Sequence, residues 1–450
     1  MALEAETVKN GGLSALYDNL VRGMPEQVIH GVSGAQKAYL TALILKETGR
    51  PALYVTSHLQ QAELMAEDLA AFLPSAKIQV FTPAEVLPYE YYAESPELAA
   101  QRLKVLESLV RGETGVVVAP LTALTRRLVP PAVFARQGFW LRPEDEVERE
   151  KLLARLVDLG YTRVERVEGR AEFAARGDIV DLFPLPAARP LRLELFDTVV
   201  DSLREFDPES QRSLAKVPAA WVGPAREVCL TPAERQAALS AFAASAERYQ
   251  QSLKERGQLA QAERVRQRTA AFLERAEEGL PETAARLLPF AYQEATYLTD
   301  YLLPRSLVFL DEPLELVEEG RNFTRSLADM QKRLLEEGNL LAEETHLYTD
   351  WEELLRRLGR LQRVGLSLFL RRAPYSNPQA VLSVPARGLT PYHKNEERLA
   401  ADLRRWHHDG YSITLRASNA NRAERLRTWL KEQVPEVRAV VSAGPISAGF

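Results

Sequence analysis

The sequence lacks what secreted, membrane-spanning and zinc-binding proteins usually have. Its single cysteine, Cys229, excludes an internal disulfide and a zinc cage built from cysteines, which fits a reducing cytosol. No stretch reaches the roughly 18 consecutive apolar residues that a membrane helix needs. Residues 1–12 also lack the basic-then-apolar order of a signal peptide. We therefore expect a soluble, cytoplasmic protein.

Catalytic and metal-binding motifs are equally scarce. The six histidines form no HExxH pair, no GxSxG nucleophile elbow occurs, and no base is marked near Cys229. We predict no catalytic residues and no metal ligands. The formal charge of −5, from 57 basic and 62 acidic residues, argues against a surface built to neutralise nucleic-acid phosphates. DNA binding through a local arginine-rich face stays an alternative.

The order of strand and helix signals divides the 450 residues into four segments. In residues 1–130, short apolar strands alternate with helical patterns, which is typical of a doubly wound parallel sheet. Residues 131–212 hold one helix followed by short strands in antiparallel style. Residues 213–372 are helical and then return to the pattern of the first segment. Residues 373–450 comprise a linker, Ala373 to Thr390, and a small α/β unit. The predicted fold class is α/β with an inserted α+β domain.

One strand-to-helix turn has the position of a phosphate-binding loop. The sequence GVSGAQKA follows the first strand, and its Gly31, Gly34 and Lys37 suit a loop whose N–H groups hold phosphates. The pattern also needs a further glycine and a Ser/Thr hydroxyl for Mg²⁺, and this sequence has Gln36 and Ala38 there. The loop is a degenerate nucleotide site or an ordinary turn with a solvent-facing lysine.

A second feature agrees with the first. The apolar strand LVFL ends in Asp311 and Glu312, and NTPases place a metal-binding aspartate and a base at such a strand end. The two motifs together indicate a P-loop layout whose Mg²⁺ site is incomplete. We therefore predict no cofactor, with a nucleotide-binding or ATPase domain of a helicase-like repair protein as the alternative function.

Several stretches carry a family resemblance. Six stretches follow one another along the chain: GVSGAQKA, PALYVTS, LPYEYYAESPE, VVVAPLTAL, GYTRVERVEGRAEFAARGDIVDLFP and LRLELFDTVVDSLREFDPESQRS. In this order they resemble the amino-terminal half of the bacterial transcription-repair coupling factors, Mfd. That half is itself similar to the excision-repair protein UvrB. The resemblance implies a split RecA-like domain with a degenerate P-loop, an inserted domain like UvrB domain 2, and a small C-terminal α/β domain. It implies a non-catalytic module that binds UvrA and brings nucleotide excision repair to stalled RNA polymerase.

The resemblance also implies a partner surface on the insert. Arg163, Phe173 and Arg176 fall where the family's UvrA-contacting arginines and aromatic lie, and Phe183 is a weaker addition. An arginine offers a planar fork to an acidic partner, and an exposed aromatic supplies a desolvated anchor. Alternatively, strand alternation places Phe183 in the core, and the arginines pair with acids across strands. The candidate acids are Glu165, Glu172 and Asp178.

Two further expectations concern parts that the family has and this chain does not show. UvrB carries a DNA-clamping hairpin after its tyrosine-rich motif. Here Glu90-Tyr91-Tyr92 runs within ten residues into the helix that holds Arg102, so we expect no hairpin. The ending Ala439–Phe450 has no polar tail, so we expect the natural protein to continue into regions that bind RNA polymerase and double-stranded DNA. This chain alone is expected neither to move on DNA nor to displace a polymerase.

Overall fold

The structure is a computed structural model that describes most of the chain. The described residues are 13–84, 89, 95–113, 115–277, 281–384, 386, 388–389, 392, 395–444 and 446–450. In these ranges no helix is long and apolar enough to cross a membrane. The same ranges hold no group of three or more His, Cys, Asp or Glu side chains placed to bind a metal ion. The prediction about a hairpin after Glu90-Tyr91-Tyr92 concerns residues outside them.

Helices and strands are numbered here in chain order over the described residues. The strands are β1 Glu26–His30, β2 Ala52–Thr56, β3 Ile78–Val80, β4 Val116–Pro120, β5 Phe139–Leu141, β6 Thr162–Arg163, β7 Glu172–Arg176, β8 Ile179–Leu182, β9 Leu191–Phe196, β10 Val199–Phe206, β11 Ser213–Lys216, β12 Ala220–Val222, β13 Leu307–Asp311, β14 Gln362–Ser367, β15 Ala380–Ser383, β16 Ile413–Ala417 and β17 Ala439–Ala443. The helices are α1 Leu13–Val21, α2 Ala35–Thr48, α3 Leu59–Phe72, α4 Pro96–Val110, α5 Pro131–Gln137, α6 Arg149–Asp158, α7 Pro232–Glu255, α8 Leu259–Glu277, α9 Pro281–Ala284, α10 Leu288–Ala291, α11 Pro313–Glu336, α12 Trp351–Leu358, α13 Glu396–His408 and α14 Ala420–Gln433.

A seven-stranded sheet organises the larger domain. Its order is β15-β1-β14-β13-β2-β4-β3, and every pair in it is parallel. The central strands β2 and β4 are buried along their whole length, because helices cover both faces of the sheet. β13 and β14 come from the third segment and lie between strands of the first. The predicted split α/β domain is therefore confirmed.

The insert forms a second sheet of six strands in the order β11-β10-β9-β8-β7-β6. Helix α6 packs Leu152 and Leu156 onto one face of it. β7 has a weak strand signal in the sequence, because alanine and charged residues are less frequent in strands than β-branched and aromatic ones. It pairs in parallel with β6, so the antiparallel prediction is wrong at this edge. The insert also continues past the predicted boundary at 212, because β11 pairs with β10, and β12 pairs with β5.

The predicted linker, Ala373 to Thr390, contains a strand that the sequence did not indicate. β15 pairs in parallel with β1, from Gln27 with Ala380 to His30 with Ser383. A four-residue strand carries little periodic signal, and the free edge of β1 supplies the hydrogen bonds that fix it. The seven-stranded sheet thus includes a part of the chain that we had expected to be irregular.

The small terminal unit has its own core. β16 and β17 pair in parallel, and Leu403, Leu430 and Val434 are among the buried residues between its strands and helices. Arg416 links this unit to α3, because its Nη2 donates to the main-chain oxygen of Ala71 at 2.7 Å. The predicted α/β structure is observed in the last 60 residues, and Arg416 shows that this unit contacts the larger domain.

The junction between α4 and the end of the insert buries two acids. Glu227 forms an ion pair with the fully buried Arg102, with 3.1 Å between Oε2 and Nη2. Glu107 lies against Gly223, where a Cβ would come within 1.9 Å of Glu107 Oε1. Burial raises the pKa of Glu107 to about 7, against the opposing charge of Arg111. The junction therefore holds a carboxyl group that titrates near neutral pH.

Glu107→Gln should remove a pH dependence of stability. In the unfolded chain Glu107 has the ordinary carboxyl pKa of 4.5, whereas in the folded protein its pKa is about 7. Between these two pH values the folded protein keeps a proton on Glu107 that the unfolded chain has lost. Stability should fall across this window as pH rises, by about 3 kcal/mol in total. Urea denaturation between pH 5 and 8 measures the slope. Glu97→Gln, on the exposed face of the same helix, should keep the wild-type slope. An unchanged slope in Glu107→Gln would contradict the prediction.

Candidate functional site

The five residues of the predicted nucleotide site come together at the carboxyl edge of the seven-stranded sheet. Lys37 lies in the first turn of α2, which begins directly after the loop that follows β1. Asp311 is the last residue of β13 and Glu312 follows it, and the carboxyl ends of parallel strands meet at the same edge of a sheet. Gly31 and Gly34 belong to the loop itself, and both have a positive φ.

Lys37 is buried in an ion pair with both acids. Its Nζ lies 2.5 Å from Asp311 Oδ1 and 2.6 Å from Glu312 Oε1, and its side chain is 7% exposed. Burial alone would lower the pKa of Lys37, but the charges and hydrogen bonds of the two carboxylates outweigh it and raise that pKa. The ammonium stays charged and is neutralised by the protein itself. The alternative of a solvent-facing lysine is therefore wrong.

Three N–H groups of the loop have acceptors within the protein. Ser33 donates to the side-chain Oε1 of Gln36 at 2.9 Å. Gly31 and Val32 donate to main-chain oxygens at the end of β14, at 3.1 and 3.2 Å. A phosphate-binding loop keeps such groups available for the ligand. Gln36, which stands where the pattern needs a glycine, therefore fills part of the space and bonding capacity that a phosphate would use.

A glycine is needed at position 31 because the main chain of Val384 passes close to it. Its φ is 88°, and a Cβ at this position would lie 2.4 Å from the main-chain oxygen of Val384. Val384 follows β15 and donates its N–H to the carbonyl of His30 at 2.9 Å. Glycine alone tolerates both the left-handed backbone and this contact. The segment after β15 thus packs directly on the loop.

The insert carries the second candidate site, at the β6–β7 edge of its sheet. Arg163 and Arg176 are exposed and line one open groove. Arg176 donates from Nη2 to the main-chain oxygen of Glu165. Within the described residues neither arginine forms an ion pair, so the predicted alternative of pairing with neighbouring carboxylates is not observed. The remaining residues of the groove are Val164, Glu165 and Ala175.

The two predicted phenylalanines do not offer an exposed ring. Phe173 is 0% exposed and packs in the main core of the insert, between its sheet and α6. Phe183 is 7% exposed and packs on the other face of the sheet with Val167 and Phe206. The expectation of an exposed aromatic anchor at these positions is wrong, because this end of the sheet is covered on both faces. The alternative that alternation places Phe183 in a core is confirmed.

An exposed aromatic on the insert was missed. Phe196 is 79% exposed at the end of β9. Ile179 is 38% exposed and pairs with both Arg176 and Glu194, so alternation puts Phe196 on the same sheet face as Arg176. The sequence LRLELF holds the signal, since its three leucines point inward and its last residue must then point outward. Phe196 is therefore a better candidate than Phe173 for a partner contact.

Phe173→Ala should destabilise the insert, whereas Phe196→Ala should not. Removing a fully buried phenylalanine leaves a cavity and costs about 3 to 5 kcal/mol. An exposed phenylalanine on the same sheet should change stability by less than about 0.5 kcal/mol. Urea denaturation followed by tryptophan fluorescence compares the two variants. Equal stability of both variants would mean that Phe173 is not a core residue.

Comparison with known proteins agrees with this division of the chain. Residues 139–228, which hold the whole insert, match the family model of the UvrB interaction domain. The transcription-repair-coupling factor of Bacillus subtilis is 30% identical over 97% of this chain, and that of Staphylococcus haemolyticus is 25% identical over 96%. The chain spans 38% and 37% of the lengths of these two relatives. The predicted resemblance is confirmed: over almost its whole length the chain is similar to the amino-terminal part of the bacterial transcription-repair-coupling factors, including their UvrB-like domain.

Proposed function

We propose that this chain is the recruiting part of a transcription-repair coupling factor, and that it binds UvrA through its insert. In this proposal it brings nucleotide excision repair to RNA polymerase stalled at a DNA lesion. ATP-driven movement and contact with the polymerase belong to parts of such factors that this chain does not match.

The observation that carries the proposal is the pair of exposed arginines on one open edge of the insert. Arg163 and Arg176 line the same groove, and no carboxylate among the described residues neutralises either of them. Guanidinium groups that form no internal ion pair suit the carboxylates of an acidic partner, with which they form charge-assisted hydrogen bonds. Phe196 and Ile179 add exposed apolar area on the face to which Arg176 belongs. Arginine and aromatic groups together are the residue types that dominate binding energy at interfaces.

The proposal also assigns no catalysis and no cofactor to these residues. Lys37 has two carboxylates as partners, and a side chain occupies the N–H group of Ser33. A nucleotide would have to displace both sets of bonds and would still lack the hydroxyl that holds Mg²⁺, because position 38 is alanine. The chain therefore acts by binding, in the same way as other recruitment modules.

UvrA retention tests the proposed face. In a pull-down of purified UvrA on the tagged chain, Arg176→Ala and Arg163→Ala should each weaken binding about tenfold, the effect of losing one good arginine contact. Lys216→Ala is the matched control, since Lys216 is an exposed cation on β11 at the opposite edge of the same sheet. It should bind as the wild type does. Equal retention of UvrA by the wild type and Arg176→Ala would rule out this face.

Titration with ATP and Mg²⁺ tests the absence of nucleotide binding. Calorimetry should show no saturable binding up to millimolar ATP, because Lys37 is already paired with two carboxylates and the N–H of Ser33 is already bonded to Gln36. Lys37→Met should show none either, and it should lower stability by about 1 to 3 kcal/mol because two half-buried acids lose their counter-charge. Saturable binding by the wild type that Lys37→Met abolishes would favour a working nucleotide site instead.

A further inference from the structure

A second exposed surface combines aromatic rings with arginines, on the larger domain and away from the insert. It consists of Arg321 on α11 and of Phe369, Arg371, Arg372 and Tyr375 after β14, and we refer to it as the aromatic–arginine surface. Phe369 and Tyr375 are 62% and 58% exposed. The three arginines are exposed as well. Neither the degenerate nucleotide site nor the insert uses any of these residues.

Guanidinium groups lie over both rings of this surface. The Arg371 guanidinium carbon is 5.6 Å from the centroid of Phe369, and that of Arg321 is 5.5 Å from the centroid of Tyr375. Both distances fall in the range of cation–π contacts. Since more than half of each aromatic residue is exposed, each ring still offers area on which a planar group can stack.

The main chain holds the surface in place at both ends. Leu368 donates its N–H to Glu312 Oε1 at 2.9 Å, and its carbonyl accepts the N–H of Gly31 at 3.1 Å. At the other end Ala373 is buried in the core of the larger domain. The residues between these anchors therefore present Phe369, Arg371 and Arg372 from a fixed segment. A fixed segment loses less conformational entropy when a ligand binds.

Positive charge increases along the surface from the start of α11 towards Arg321 and the arginines after β14. Within the described residues, Arg321, Arg371 and Arg372 form no ion pair, so their charges are not neutralised by the protein. Arg325 is exposed one turn after Arg321 on the same helix and extends the positive region. Glu315 and the exposed Glu318, in the first two turns of α11, lie at the other end and repel anions. A polyanion should therefore follow the arginines away from the start of α11.

We propose that the aromatic–arginine surface binds single-stranded DNA, with bases stacked on Phe369 and Tyr375 and phosphates held by the arginines. Stacking on aromatic side chains beside a positive groove is how proteins hold single strands without reading sequence. A duplex keeps its base faces covered, so it would use the arginines but leave both rings without a partner. The choice of DNA over RNA rests on the proposed function in DNA repair.

Fluorescence anisotropy with the full 450-residue chain and a labelled oligo(dT) of 20 nucleotides tests this proposal. Phe369→Ala with Tyr375→Ala should weaken binding tenfold or more, because each stacked base is lost. The logarithm of the binding constant should fall linearly with the logarithm of the salt concentration. Replacing Arg321, Arg371 and Arg372 by alanine should make that slope shallower by about 2, because each phosphate contact contributes about 0.7. Tyr411→Ala removes a similarly exposed aromatic ring elsewhere and should leave the affinity for the oligonucleotide unchanged.

Several results would overturn the proposal. These are no binding at about 50 mM salt, unchanged binding by the aromatic double variant, equal affinity for a duplex, tighter binding of oligo(U), or equal competition by polyglutamate. Circular dichroism of each variant checks that it is folded. The aromatic double variant should retain UvrA in the pull-down, so a failure of DNA binding and a failure of UvrA binding are read separately.

Discussion

The ion pair of Lys37 with Asp311 and Glu312 is the contact on which the larger domain depends. It joins groups 274 and 275 positions apart in the chain, in two segments that the insert separates. The ammonium is buried, and a buried charge is tolerated only with partners that neutralise it. The first segment is therefore complete only when β13 from the third segment lies beside it. The same contact satisfies the charge of Lys37 within the protein.

The consequences of this ion pair reach the surface through Glu312. One carboxylate oxygen, Glu312 Oε1, accepts both from Lys37 and from the N–H of Leu368, the residue that follows β14. The direction in which the chain leaves the sheet is thus fixed by the group that neutralises the lysine. Phe369 and the arginines that follow it start from that point. Neutralising Lys37 and anchoring the exposed segment after β14 are two effects of one arrangement of charges.

The position of a residue could be predicted from the sequence where it depends only on the strand that the residue ends or follows. Asp311 and Lys37 each follow a strand of one parallel sheet, so their meeting at its carboxyl edge could be predicted. The contact of Val384 with Gly31 could not, because it depends on a strand that only the free edge of β1 stabilises. The burial of Phe173 was also hidden. β7 has a weak strand signal, and no local pattern shows that both faces of its sheet are covered there.

The edge of the insert shows how one side chain can serve both protection and recognition. β6 pairs with Glu172 and Phe173, and β7 continues beyond it to Arg176. Uncovered strand edges invite pairing with any other chain, and charged side chains are a common protection against it. Arg176 provides that protection, since its guanidinium bonds the carbonyl of Glu165 across the groove. A partner must then meet a positive charge before it reaches the edge, which favours an acidic surface and disfavours indiscriminate strand addition.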